Sequence, residues 1–144
     1  MGLFGPAATL LSDVNLLFQI AIFIFLAIGL SARLKRRYIA HGTVMGIALV
    51  LNTVSILIVM VPSFLSDPSL FESLSSPLPL TIIHITIGSL AEALGIYLVT
   101  AWGLSIHDIE GCIKRKRIML VTIFLWLANL ILGAYVYAIL YLNF

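Results

Sequence analysis

The chain has 144 residues, 62% of them hydrophobic and only 10% charged, with a net charge of +2 and a mean hydropathy of +1.18. A soluble domain carries roughly a quarter charged residues, so this composition excludes a water-soluble globular domain and makes lipid the solvent. The charge gives no argument for nucleic acid, and the single cysteine, Cys112, excludes an intramolecular disulfide framework.

The opening Met1-Gly2-Leu3-Phe4-Gly5-Pro6 has no Lys or Arg. No clear cleavage site follows the first apolar stretch, so that stretch is expected to be retained rather than removed as a secretory signal. A helix needs about 20 apolar residues to cross the bilayer core. The first such span is expected from about Val14 to Ala32, with Ser12 or Asp13 as its N-cap. Asn15 and Gln19 are its polar members. Arg33, Lys35, Arg36 and Arg37 follow at once, and so short a link makes spans 1 and 2 antiparallel neighbours.

Span 2 is expected from about Ile39 to Val61, stopped by Pro62. Within it His41, Met45, Ala48, Asn52 and Ser55 recur at three- and four-residue steps, which places them on one face of a helix. The connection from Ser63 to Pro79 carries Ser, Pro, Asp67 and Glu72, and has room for a short interfacial helix around Leu70 to Leu74. Span 3 is expected from about Leu80 to Leu104, with Pro77 and Pro79 near its first turn. Its seam is His84, Gly88, Ala91 and Gly95, with Glu92 beside it. The next loop holds His107, Asp108, Glu110, Gly111 and Cys112, then Lys114, Arg115, Lys116 and Arg117. Span 4 is expected from about Ile118 to Leu142, with Thr122, Trp126, Asn129, Gly133 and Tyr137 on one face.

The eight basic residues thus fall in two clusters, and basic residues concentrate in cytoplasmic loops. The fold class that follows is an all-α membrane protein, a four-transmembrane-helix antiparallel bundle forming a single membrane domain over 1–144. Both basic loops are expected inside and both termini outside.

Polar side chains within spans are expected to face the bundle interior. Gly88, Ala91, Gly95 and Gly133 need only a packing role, since small residues let helices approach closely. Asn52 and Asn129, near mid-membrane, suit hydrogen bonds across helices. Glu92 is the sharper case, because an acid at the centre of a span costs on the order of 2.5–3.5 kcal/mol on insertion scales. Asn52 and Asn129 are its expected partners. It reads either as a proton-relay or quinol-binding carboxyl, or as a neutral acid in a structural network.

Depth limits what the three histidines can do. His41 opens span 2 at the inner side and His84 lies one turn into span 3 from the outer side, roughly 20 Å apart across a 30 Å core. They cannot ligate one ion together. His41 and His107 can approach at the inner side, where two imidazoles from different helices make a bis-His haem b site. At the outer side His84 has only the Met60 thioether to pair with, and copper is the alternative cofactor. The His107, Asp108, Glu110, Cys112 loop matches no strong metal-site spacing. Cys112 reads as a free thiol or a juxtamembrane acylation site.

His41-Gly42-Thr43-Val44-Met45 after a basic loop, Ile83-His84-Ile85 opening span 3, and Trp126, Gly133 and Tyr137 in span 4 form a pattern, with Asn15 and Gly29 in span 1. It resembles the small four-helix membrane family known as domain of unknown function four-twenty, over about Asn15 to Tyr141. Bacterial members of that family include proteins associated with maturation of haem–copper terminal oxidases. The resemblance implies a prokaryotic plasma membrane and four histidines, two near each membrane face. His41 matches the first inner position and His84 one outer position. The end of span 2 and the Lys114–Arg117 run carry no His, which leaves one inner site and an incomplete outer one.

Three functions follow. One is a haem b- or metal-binding redox or assembly component of a respiratory chain, meeting quinol or a terminal oxidase. Another is a cofactor-free structural subunit of a larger membrane complex. The third is a proton-linked carrier using Glu92, which at four spans would have to oligomerise. No nucleophile–base pair and no phosphate-binding glycine loop is present, so a stand-alone enzyme is not the expectation.

Overall fold

The structure is a computed structural model, and it describes residues 10–66, 78–103 and 109–141. Four of its helices are long and apolar enough to cross a membrane. In chain order the elements are α1 (Leu10–Leu34), α2 (Tyr38–Ser55), a π-helical turn (Ile56–Met60), α3 (Val61–Ser66), α4 (Leu78–Gly103), α5 (Ile109–Lys114) and α6 (Lys116–Tyr141). Helix α1 packs mainly on α2 and α4 on α6, while α2–α4 and α1–α6 contacts close the ring. The expected antiparallel four-helix bundle is therefore present. One end carries the basic residues; the other, the terminal end, carries the starts of α1 and α4 and the close of α6.

Side chains sort as a membrane bundle requires. Phe23, Ile24, Leu57, Phe124 and Ile131 are exposed, whereas Asp13, His41, Asn52, Ser55, Glu92, Thr122 and Asn129 are buried. The apolar core at mid-bundle is Ile22, Leu26, Ala48, Leu49, Ala91 and Trp126. Lipid solvates the first set, and only the interior offers partners to the second.

Several boundaries differ from the sequence-based expectation. Helix α1 already includes Leu10, so Ser12 and Asp13 lie within it and neither is an N-cap. Pro62 does not stop the second span: helix continues through it to Ser66. The reason lies just upstream. Proline cannot donate to the carbonyl four residues back and its ring crowds that carbonyl. Here Val61 N–H reaches back five residues to Ile56 O, and such a π adjustment rehouses the displaced backbone groups. Helix α6 begins inside the basic run, and the loop before it contains the short α5, with an exposed Glu110–Lys114 pair at 2.9 Å. The suggested interfacial helix near Leu70 to Leu74, and His107 with Asp108, lie outside the described residues.

The α1–α2 turn is made without glycine. Arg36 has φ 58°, its N–H donates to Arg33 O at 2.9 Å, and Arg37 N–H donates to Ala32 O at 2.9 Å. This is the paired-bond helix stop that normally places glycine at the left-handed position. A Cβ there costs about 1 kcal/mol. Arg36→Gly is therefore expected to hold or raise the thermal unfolding midpoint in detergent; a clear fall would show that the Arg36 side chain contributes more than its backbone costs.

Candidate functional site

Toward the basic end, α2, α4 and α6 leave a cleft that is open at its mouth. His41, Gly42 and Met45 line it from α2, and Gly95, Leu98, Val99 and Trp102 from α4. Met119, Thr122, Ile123 and Trp126 line it from α6, with Tyr38 and Arg115 nearest the basic end. The walls are apolar with a few convergent polar groups.

His41 is 4% exposed. Its Nδ1 lies 2.8 Å from the backbone carbonyl of Gly29 on α1. A carbonyl can only accept, so Nδ1 carries the hydrogen, and the neutral ring keeps its lone pair on Nε2. Trp126 adds a buried N–H with no hydrogen-bond partner among the described residues. A buried indole donor normally has one, and this ring faces the cleft.

At mid-membrane Glu92 is buried, and its Oε2 accepts from Asn52 Nδ2 at 2.8 Å. Its Oε1 is hydrogen-bonded with Thr53 Oγ1, which also lies 3.0 Å from Leu49 O. Asn52 is thus a partner of Glu92, as its depth suggests. Asn129 is placed elsewhere: its amide faces Gly88, where a Cβ would sit 2.9 Å from Nδ2, and its Oδ1 has no partner among the described residues. Thr53 was missed because it lies one residue off the seam of span 2. The clue was a hydroxyl adjacent to a seam amide, since a carboxylate has two oxygens to satisfy.

Nearer the terminal end, Ser55 Oγ donates to Asn15 Oδ1 at 2.5 Å and accepts from Gln19 Nε2 at 3.4 Å. Asp13 is fully buried and accepts from the Tyr137 hydroxyl. Asp13 is expected as an N-cap; its burial follows from the earlier start of α1, which places it within the helix.

His84 stands apart from His41. Its ring covers Gly133, where a Cβ would lie 2.9 Å from Cε1. Its Nδ1 is buried with no hydrogen-bond partner among the described residues. Gly42, next to His41, abuts Trp102, which is 18 residues beyond His84, about 27 Å along α4. The two histidines therefore belong to opposite ends. Met60 lies in the π turn, whose packing partners are α1, α2 and α3, whereas His84 faces α6. Among the described residues no group of three or more His, Cys, Asp or Glu side chains converges as for a metal ion.

No family model, no curated protein and no solved structure matches this chain.

Proposed function

We propose that this is a small redox or assembly protein of a respiratory membrane that holds haem b in the cleft beside His41. The observation that carries this reading is the Nδ1 contact of His41 with the Gly29 carbonyl. Ligating histidines commonly commit one ring nitrogen to a carbonyl, which fixes the tautomer and orients the other nitrogen. The remaining surroundings suit the group. Apolar and aromatic walls exclude water, Arg115 near the basic end offers a cation for carboxylate substituents, and the Trp126 N–H supplies an unmatched donor. Bound haem would supply one-electron transfer. The chain's own part is to hold the ring of His41 fixed against α1 and to keep the cleft dry.

A second axial ligand has two sources: the Met119 thioether on the cleft wall, or His107, four residues after the close of α4 in the sequence. Met45 and Met119 beside His41 also favour a second reading, a copper(I) site, because thioethers are soft ligands. In either case the two basic loops lie on the cytoplasmic side by the positive-inside rule. The resemblance adds a prokaryotic plasma membrane and a terminal oxidase as partner; the redox reading itself adds quinol.

The test is an absorption spectrum of detergent-purified protein, oxidised and dithionite-reduced, beside His41→Ala. A reduced-minus-oxidised b-type band that disappears in the variant supports haem at His41. A colourless protein that stays colourless after haem is supplied removes haem, and copper content in wild type against the variant then decides the second reading. Absence of both would leave a cofactor-free subunit.

A further inference from the structure

We infer that Glu92, Thr53 and Asn52 form a reversible proton-binding site in the middle of the bundle, separate from the cleft at His41. The argument counts hydrogens. Thr53 has one hydroxyl hydrogen and two acceptors within reach, Leu49 O at 3.0 Å and Glu92 Oε1. If the hydroxyl donates to Leu49 O, its oxygen is free to accept, and Glu92 completes the bond only as a neutral acid whose own O–H donates to Thr53. Asn52 Nδ2 meanwhile donates to Oε2. Both carboxyl oxygens and the Thr53 hydroxyl are then satisfied, with no buried charge.

The charged form is equally well provided for. When the O–H bond of Glu92 breaks and its proton passes to water, the Thr53 hydroxyl turns from Leu49 O to the carboxylate. Leu49 O can retain its ordinary helical bond from Thr53 N–H, and Asn52 continues to donate. One rotation about the Cβ–Oγ bond of Thr53 switches the site between two states in which both carboxyl oxygens and the hydroxyl are hydrogen-bonded. A purely structural acid needs only one of them.

Surrounding charges do not dictate either state. Among the described side chains, the other acidic, histidine and tyrosine groups on the packed helices are Asp13 on α1, His41 and Tyr38 on α2, His84 and Tyr97 on α4, and Tyr135 and Tyr137 on α6; the hydrogen bonds of Glu92 are to Asn52 and Thr53. The basic side chains belong to the basic end, and none is paired with Glu92 among the described residues. On the other side the polar residues continue: Ser55 with Asn15 and Gln19, then Asp13 with Tyr137.

The test is infrared spectroscopy of the full chain in lipid, in H2O and D2O, over a pH series. The expected result is a protonated-carboxyl band that Glu92→Gln removes and Asp13→Asn leaves. It shifts on transfer to D2O and is replaced reversibly by carboxylate absorption as pH rises. Thr53→Val, which keeps Glu92, is expected to move the band in frequency because the acceptor is lost, and it serves if Glu92→Gln fails to fold. A band untouched by both variants, or one indifferent to D2O and pH, would overturn the inference.

Discussion

Replacing Gly42 by valine is expected to lower the stability of the bundle by about 1–3 kcal/mol, the usual range for overpacking, and to close the cleft beside His41. A Cβ on Gly42 would run into the six-membered ring of Trp102, with all three nearest atoms belonging to that indole. The indole is a rigid plane, so relief requires turning the ring or separating α2 from α4. Trp102 is itself part of the cleft wall, and turning it changes the space available to a ligand. Gly103→Ala is the matched control, because nothing lies within 4 Å of a Cβ there. Thermal unfolding in detergent and haem uptake should both fall for Gly42→Val and hold for Gly103→Ala. Equal behaviour of the two variants would show that the α2–α4 approach is looser than described.

The second large effect is expected at Asn52. Asn52→Leu removes the amide donor to Glu92 Oε2 and leaves a buried carboxyl oxygen unmatched, at a cost of about 1–3 kcal/mol. The double variant Asn52→Leu with Glu92→Leu removes donor and acceptor together. Replacing a buried polar group and its partner by apolar residues of similar volume is often neutral or better, so the double variant should recover most of the loss. Thr53 would remain satisfied through Leu49 O. Unfolding midpoints of the four proteins form a cycle whose coupling energy reads the interaction directly. A double variant as unstable as the sum of its singles would mean that Asn52 and Glu92 act independently, against the hydrogen bond between them.

Together the two experiments separate the basic half of the bundle from its middle. Gly42 acts on the cleft and leaves the Glu92 trio in place; Asn52 does the reverse. A redox role at His41 and a proton-binding role at Glu92 can thus stand or fall singly.

How far the sequence reached depended on what kind of interaction placed each residue. The four spans, the two basic clusters and the inward seams follow from solvent: apolar side chains must meet lipid and polar ones must not, and helical periodicity does the rest. His41, Ala48, Asn52 and Ser55 are buried together for that reason. Pairing across helices is a different matter. Whether Glu92 met Asn52 or Asn129 depended on the axial register of α4 against α2 and α6, and register is set by close approaches such as Gly88 on Asn129 and Gly133 on His84. A helical wheel carries azimuth and approximate depth but no register between helices. Thr53 as the second partner of Glu92, the Gly29 carbonyl that fixes His41, the π turn before Pro62 and the burial of Asp13 beneath Tyr137 all needed the packed bundle. Sequence alone determined that this chain is a four-helix membrane protein with a polar interior; tertiary structure decided which polar groups meet, because short-range hydrogen bonds are sensitive to shifts of an ångström that periodicity does not encode.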